Sequence, residues 1–142
     1  MTPQRSPNGG RLVVMTHDND NVRESGCPLV LVVEDEVLLR VMTVEYLESR
    51  GFAVLQAASA DQAIGQLQAH RRISAIFSDI QMPGSMDGVA LARWSRRERP
   101  DVKVLLTSGR GLPAGLREWP MLAKPYRMGD VERQLRDLVG AD

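Results

Sequence analysis

Four apolar runs along the chain each lead into polar side chains that suit metal or phosphate chemistry. LVLVV leads into Glu34 and Asp35, ISAIFS into Asp79, VKVLL into Thr107, and MLA into Lys124. Strands buried in a parallel sheet read as continuous apolar runs, and ligands of such sheets bind beyond the carboxyl ends of the strands. We therefore expect these five side chains to converge on one small pocket.

Strand-like runs alternate with helical patterns through most of the chain. The expected strands are Leu29–Val33, Ala53–Ala57, Ile73–Ser78, Val102–Leu106 and Met121–Ala123. The expected helices are Glu36–Arg50, one that begins at Ser59 or Ala60, Val89–Arg97, and a last one marked by Val131, Leu135, Leu138 and Val139. This alternation predicts five βα units in an α/β, flavodoxin-like doubly wound fold, with a five-stranded parallel sheet of order 2-1-3-4-5.

Length and composition set the domain organisation. The chain has 142 residues, enough for one domain, and a formal net charge of zero, which implies no general attraction to nucleic acid or anionic membrane. Residues 1–27 are rich in polar residues, Gly and Pro and are expected to form a flexible tail, while residues 28–142 form the domain. No apolar stretch approaches the roughly 20 residues of a membrane span. A single cysteine, Cys27, agrees with a cytoplasmic location.

The first helix carries apolar residues on more than one side. We expect a buried stripe at helical spacing, formed by Leu39, Met42, Thr43, Tyr46 and Leu47. Leu38, Val41 and Val44 then lie on the outer face, where they are either ordinary packing or a docking surface for a partner helix.

The three carboxylates at the strand ends favour a bound cation. Crowded carboxylates repel one another unless a cation lies among them. An all-oxygen site suits Mg²⁺, or Mn²⁺, better than zinc. Asp35 and Asp79 can each give one oxygen, a backbone carbonyl after Asp79 can give a third, and Glu34 is expected to act through water.

The hydroxyl and the ammonium group favour phosphoryl chemistry at the same place. A carboxylate can act as a nucleophile and form an acyl phosphate, and Asp79 lies centrally for that role. Phosphoryl transfer needs the equatorial oxygens neutralised, which Lys124, the Thr107 hydroxyl and nearby backbone N–H groups can do.

At these residues the chain resembles the receiver domain of two-component response regulators. The matching pieces are VLVVEDE, FSDIQMPGSMDG, LLTSG and LAKPY, and the resemblance covers residues 29–139. It implies that Asp79 is the phosphoacceptor and that Thr107 and Lys124 sense and stabilise the phosphoryl group. It also implies an acidic pair, Glu34 and Asp35, with Asp35 the direct metal ligand and the backbone carbonyl of Gln81 a further one. The Lys124–Pro125 bond is usually cis in this family.

Three features depart from the usual pattern of this family. The loop MPGSMDG is one residue longer than its commonest form. Met121 occupies the place of a common aromatic switch residue, for which Tyr126 or Trp119 are the candidate substitutes. Thr107 and Lys124 are only 17 residues apart, so the helix expected between the fourth and fifth strands is shortened or irregular.

The resemblance implies a response regulator in phosphorelay signal transduction. Because the sequence ends soon after the last helix, we expect a stand-alone, single-domain receiver. Its phosphoryl donor is a histidine kinase or a histidine phosphotransfer protein, and its output is contact with a downstream protein or service as a phosphate sink. No output domain is expected after the last helix, and neither DNA nor membrane is an expected partner. The protein is not expected to be an enzyme beyond its own phosphorylation and dephosphorylation.

Two other functional classes remain open. One is a receiver-like binding module that never carries phosphate, which the missing aromatic residue favours. The other is a Mg²⁺-dependent phosphohydrolase with an aspartyl nucleophile, which usually needs a second acid two residues beyond it. Gln81 stands there relative to Asp79, and Val37 relative to Asp35, which disfavours this class. The arginines of the third helix, Arg93, Arg96, Arg97 and Arg99, are interpreted as a solvated face.

Overall fold

The computed structural model describes residues 26–110 and 118–140. These form one sheet of five strands: β1 (Leu29–Val33), β2 (Ala53–Ala57), β3 (Ile73–Asp79), β4 (Lys103–Ser108) and β5 (Met121–Ala123). Four helices are described: α1 (Val37–Ser49), α2 (Ala60–Ala69), α3 (Gly88–Glu98) and α4 (Met128–Val139). All strand pairs are parallel and the strand order is β2-β1-β3-β4-β5, which confirms the predicted fold and order.

Two strands extend beyond their predicted carboxyl ends. The strand β3 includes Asp79, and β4 runs to Ser108 rather than ending before Thr107. The backbone ladder continues past the apolar runs, because Ile80 N–H donates to Thr107 O at 2.8 Å and Lys124 N–H to Ser108 O at 2.9 Å. Asp79 and Thr107 therefore lie in register on neighbouring strands.

Side chains on the two faces of the sheet build two cores. On one face, alternate residues such as Leu31, Ile76 and Leu106 pack with Leu67 of α2 and Leu91 of α3. On the other face, the strand residues Val30, Val32 and Leu105 pack with Leu47 of α1 and Leu135 of α4. Because β1, β3 and β4 are covered on both faces, they show the continuous apolar runs typical of a buried parallel sheet.

The predicted faces of α1 were partly wrong. Val44, expected outside, is 7% exposed and belongs to the core, whereas Met42, expected inside, is 51% exposed. The buried residues Thr43, Val44 and Leu47 define the inward face, and Met42 lies on the opposite side of the helix. Leu38 and Val41 lie outside as predicted, at 67% and 37% exposure.

Of the four arginines expected on a solvated face, Arg93, Arg96 and Arg97 are exposed as predicted and Arg99 is the exception. Arg99, expected to be solvated, donates to the carbonyls of Leu67 at 2.7 Å and Arg71 at 2.9 Å, and so holds the end of α2. The guanidinium of Arg96 lies 4.3 Å from the ring centroid of Trp119. Arg99 therefore serves internal packing, whereas the exposed Arg96 covers the ring of the buried Trp119 from the solvent side.

Two predictions fall mostly outside the part of the chain that the structure describes. The predicted tail lies there except for Gly26 and Cys27, and the helix expected between β4 and β5 falls largely on residues 111–117. Among the described helices, none has the length and apolar character needed to cross a membrane.

Candidate functional site

The carboxyl ends of the strands bring the predicted site residues together. Lys124 follows β5 and extends its side chain toward β3 and β1. Its Nζ lies 2.6 Å from Asp79 Oδ2 and 3.3 Å from Glu34 Oε1. The Lys124–Pro125 peptide is cis, as the resemblance implied. One cation thus bridges carboxylates from two strands.

The three acidic side chains form a cluster at the end of β1 and β3. Glu34, Asp35 and Asp79 each offer a carboxylate oxygen, and these oxygens all lie within 4.8 Å of one another. Glu34 and Asp79 are each 5% exposed, whereas Asp35 is open to solvent. Oxygen ligands of one octahedral Mg²⁺ lie about 3 to 4 Å apart, so small side-chain adjustments fit this cluster to the ion.

Backbone groups fix the orientation of the two buried carboxylates. Gln81 N–H donates to Asp79 Oδ1 at 3.0 Å, and Glu36 N–H donates to Glu34 Oε2 at 3.0 Å. Arg40 Nη1 donates to the backbone carbonyl of Glu34 at 2.8 Å and holds the turn that carries Asp35. Each carboxylate of the buried pair therefore has one oxygen on a backbone N–H and the other on Lys124.

Burial and neighbouring charges together shift the pKa values of Glu34 and Lys124. Burial raises the pKa of Glu34, although the Glu36 N–H and the charge of Lys124 work against this. Burial works to lower the pKa of Lys124, but its hydrogen bond to Asp79 and the charges of Asp79 and Glu34 outweigh burial and raise it. Lys124 is therefore firmly protonated, and Glu34 ionises less readily than an ordinary glutamate because burial raises its pKa.

The Thr107 and Ser95 hydroxyls are buried side-chain groups with no hydrogen-bond partner among the described residues, and of the two only Thr107 lies at the acidic cluster. Thr107 is 1% exposed and lies in register with Asp79 on the neighbouring strand. Its Oγ1 has no hydrogen-bond partner among the described residues. Since a buried hydroxyl normally finds a partner, this atom points to a ligand that would satisfy it.

Gly88 is a site residue that sequence reasoning missed. Its N–H donates to Ile80 O at 2.9 Å, which folds the loop after β3 back against the strand. A Cβ built at Gly88 would lie 2.1 Å from Asp79 O and 2.8 Å from Ile80 Cα, a contact that no side chain tolerates. The next helix begins there, with Asp87 Oδ1 accepting from Ala90 N–H at 2.9 Å. The sequence marked Gly88 only as part of a loop.

A side-chain bridge between two loops was also missed. Gln81 Nε2 donates to Ser108 Oγ at 3.1 Å, although the residues are 27 apart in sequence. Gln81 was predicted to act through its backbone carbonyl alone, and its side-chain hydrogen bond to Ser108 was not predicted. The one available signal was their placement, each just beyond a predicted strand.

The three residues considered for the aromatic switch lie in different surroundings. Met121 lies in β5, where it pairs with Leu106 of β4, and it packs on the core formed with α2 and α3. Trp119 joins the same core at 8% exposure. Tyr126 packs edge-on against Phe77 on the opposite face, with ring centroids 5.5 Å apart, and burial raises its pKa. A switch role for any of them stays a prediction.

The fold, the acidic cluster and Lys124 agree with the family that the sequence matches. The family model of the response regulator receiver domain matches residues 30–118. The chain belongs to this family. Receiver domains are signalling modules of two-component systems, bind Mg²⁺ at an acidic pocket, and interact with histidine kinases and phosphotransfer proteins.

Curated relatives place receiver domains in proteins of very different length. The sensor kinase CckA of Brucella abortus is 33% identical over 123 residues, which cover 81% of this chain but 13% of the kinase. The response regulator receiver protein CpdR of Brucella abortus is 28% identical over 78% of this chain and 95% of its own length. The chain spans 18% of the nitrogen regulator NtrX of Azorhizobium caulinodans. Several of these relatives are thus much longer than the matched receiver.

Solved structures show the same fold. The receiver domain of the hybrid histidine kinase CckA is 28% identical with a TM-score of 0.67, covering 78% of this chain and 98% of that domain. A response regulator receiver protein from Pseudomonas putida is 28% identical with a TM-score of 0.70, covering 79% and 98%. The regulator TrrA of Thermotoga maritima, solved with Mg²⁺ and beryllofluoride, is 21% identical with a TM-score of 0.68 over 78% of this chain and 98% of its own.

Proposed function

We propose that this receiver is a response regulator whose Asp79 accepts a phosphoryl group from a phosphohistidine, in a Mg²⁺-dependent reaction. One observation carries the proposal. Asp79 is the buried carboxylate that contacts the Lys124 ammonium at 2.6 Å. It also lies in register with Thr107 on the neighbouring strand, whose buried hydroxyl lacks a partner among the described residues. A phosphoryl group on Asp79 would supply the oxygens that these two donors need.

The transfer is a displacement at phosphorus. A carboxylate oxygen of Asp79 forms the new O–P bond while the P–N bond to the donor imidazole breaks, and the bonding electron pair returns to the imidazole ring. The Gln81 N–H holds Asp79 Oδ1 and the Lys124 ammonium holds Oδ2, so the carboxylate is oriented before the donor arrives. Hydrolysis of the acyl phosphate by water resets the receiver, and no external substrate is turned over.

The acidic cluster would hold the metal ion. Asp35 and Asp79 would each give one carboxylate oxygen, the backbone carbonyl of Gln81 a third, and Glu34 would act through water. When bound, Mg²⁺ neutralises phosphoryl oxygens and draws them toward the carboxylate, and Mn²⁺ can serve in its place. Among the described residues, Lys124 is the cation that contacts both buried carboxylates.

An apolar surface on α1 would receive the donor. It consists of Val37, Leu38, Val41 and Met42, which are 62%, 67%, 37% and 51% exposed. We call it the α1 patch. It begins two residues after Asp35, so a helix that packs there can present its phosphohistidine to Asp79 next to the patch. The proposed donor is therefore a helix of a histidine kinase or of a phosphotransfer protein.

The output of this receiver is proposed to be protein contact or service as a phosphate sink. The match to CpdR, of which 95% is covered, supports a single-domain regulator. The net charge is zero and Arg99 is held by backbone carbonyls, and neither observation supports a DNA-binding surface on the domain.

Intact mass spectrometry tests the proposal directly. The protein is incubated with acetyl phosphate and Mg²⁺, beside Asp79→Asn and, as a control, Asp61→Asn, which changes an acid in the first turn of α2. We expect one added phosphoryl group on the wild type and on Asp61→Asn, and none on Asp79→Asn or in EDTA. Equal labelling of Asp79→Asn would reject Asp79 as the acceptor. Absence of labelling with acetyl phosphate and with a phosphohistidine donor would favour a binding module that never carries phosphate.

A further inference from the structure

The Gln81 side chain links the two loops that border the proposed phosphoryl site. Its Nε2 donates to Ser108 Oγ at 3.1 Å, and the Ser108 hydroxyl returns a longer bond of 3.4 Å to Gln81 Oε1. Gly109 N–H also points to Gln81 Oε1, at 3.4 Å. We call this arrangement the Gln81–Ser108 bridge. Ser108 is fully buried, so its hydroxyl is confined to these partners and to one backbone group.

The backbone group that completes the environment of the Ser108 hydroxyl is the N–H of Arg110, two residues further along the chain. Arg110 N–H donates to Ser108 Oγ at 3.1 Å, so the bridge orients the N–H groups of both Gly109 and Arg110. The turn formed by these residues lies at the proposed phosphoryl site, since a Cβ built at Gly109 would stand 3.7 Å from Lys124 Cδ. A carboxamide two residues after Asp79 thus sets the course of the backbone that follows Thr107.

We propose that Gln81 is a positioning residue for phosphoryl transfer, which acts through Ser108 to hold the Thr107–Arg110 turn in the orientation that the phosphoryl group requires. The inference rests on the proposed function of Asp79. Catalysis by oriented donors depends on their being placed before the reaction, and small displacements slow the chemical step more than they weaken binding. This role is separate from the backbone groups of Gln81, which contact Asp79 and would contact the metal.

Substitution of the Gln81 side chain isolates the bridge, because the backbone N–H on Asp79 is retained. Gln81→Met keeps the length of the side chain and removes its hydrogen bonds, and Ser108→Ala removes the other partner. Gln66→Met is the matched control. Gln66 lies in α2, away from the site, and is a half-buried glutamine whose Nε2 donates to the backbone carbonyl of Gln56 at 3.2 Å. Gln81→Asn is the second variant, since its shorter side chain keeps the amide but withdraws it from Ser108.

The experiment measures the rate of acyl phosphate formation at saturating Mg²⁺ over a range of acetyl phosphate concentrations, together with Mg²⁺ affinity by calorimetry and the melting temperature. We expect each bridge variant to lower the rate at saturating donor about three- to tenfold, the value of one neutral hydrogen bond. The double variant Gln81→Met/Ser108→Ala should lose less than the product of the two single losses, because the Gln81–Ser108 hydrogen bond is removed by both and only the Gly109 and Arg110 N–H contacts are separate. Mg²⁺ affinity should stay within about twofold, and Gln66→Met should react as the wild type.

Each contrary result has a distinct meaning. Wild-type rates for Gln81→Met and Gln81→Asn, or rate losses that multiply in the double variant, would overturn the bridge as a positioning device. A parallel fall of Mg²⁺ affinity and melting temperature with the rate would also overturn it, since the bridge would then serve only to hold the fold. If the wild type forms no acyl phosphate at all, the proposed function of Asp79 fails first and this inference falls with it.

Discussion

Asp79 and Thr107 face each other as a register pair at the ends of two neighbouring central strands, β3 and β4. Asp79 has a partner on each carboxylate oxygen, whereas the Thr107 hydroxyl has none among the described residues. Both carboxylate oxygens of Asp79 therefore accept hydrogen bonds, while the neighbouring Thr107 hydroxyl is available as a donor among the described residues. In the proposed reaction that donor gains its partner only when Asp79 carries a phosphoryl group.

Thr107→Val should separate stability from reaction. The variant replaces a buried hydroxyl, which has no partner in the part of the chain that the structure describes, with a methyl group of similar size. The free energy of unfolding should therefore change by less than about 0.5 kcal/mol, or rise. Phosphorylation by acetyl phosphate should slow at least about tenfold, because a donor to the phosphoryl oxygens is lost. Urea unfolding and intact mass provide the two measurements.

A second buried threonine offers the control for that experiment. Thr43 in α1 is also 1% exposed, but its Oγ1 donates to Leu39 O at 2.8 Å. Thr43→Val should cost about 1 kcal/mol of stability and leave the phosphorylation rate unchanged. If Thr107→Val proves as destabilising as Thr43→Val, then the Thr107 hydroxyl has a structural partner and the ligand argument is wrong.

Gly88→Ala should damage the fold at the base of the site. Its new Cβ would meet Asp79 O at 2.1 Å, and the neighbouring atom is backbone that cannot rotate away. We expect a loss of about 3 kcal/mol or more in the free energy of unfolding, measured in urea. Gly65→Ala in α2 is the matched control, since nothing lies within 4 Å of its Cβ, and it should gain about 0.5 to 1 kcal/mol. Equal effects of the two substitutions would contradict the close approach at Gly88.

The sequence was sufficient for the sheet and for most of the site. Central strands buried on both faces have uninterrupted apolar runs, and the polar residue that ends each run lies at the shared carboxyl edge of the sheet. The meeting of Glu34, Asp79 and Lys124 follows from those two facts, and Lys124 contacts both carboxylates. The strand order was predicted because it is a common one for doubly wound sheets of five strands.

The features that sequence reasoning missed depend on tertiary packing. The need for glycine at Gly88 arises only when the loop after β3 turns back on its own strand, and the Gln81–Ser108 bridge joins loops 27 residues apart. The inward face of α1 was misassigned because the helix has apolar residues on more than one of its sides. Periodicity alone therefore does not decide whether Met42 or Val44 is buried. The α1 patch is what makes the pattern ambiguous.

The pH dependence of stability should carry the sign of the Glu34 shift. Burial raises the pKa of Glu34 above its ordinary value of 4.5, so the folded state holds this proton more tightly than the unfolded state. Its contribution to stability is complete below pH 4.5 and is lost as the pH rises through the raised pKa. In EDTA, Glu34→Gln should therefore be more stable than the wild type near neutral pH, and this gain should disappear in acid.

Glu132 supplies a control of opposite sign. Burial works to raise its pKa, but hydrogen bonds from Arg136 and Tyr46 and the charge of Arg50 outweigh burial and lower it. Glu132→Gln should therefore lose stability above pH 4.5 and match the wild type only in acid. Urea unfolding of both variants across this range gives the two curves. A Glu34→Gln variant that is less stable than the wild type at neutral pH in EDTA would show that its pairing with Lys124 outweighs burial.

The α1 patch should matter for a protein donor and not for a small one. Leu38 is 67% exposed, the most exposed residue of the patch, so Leu38→Asp should change the free energy of unfolding by less than about 0.5 kcal/mol. Transfer from a phosphorylated histidine phosphotransfer protein should slow at least about tenfold, because the apolar contact is replaced by a charge that must be desolvated on docking. Acetyl phosphate needs no such contact and should label the variant at the wild-type rate. Equal slowing with both donors would place the defect in the acid pocket, and wild-type rates with both would mean that the donor docks elsewhere on the domain.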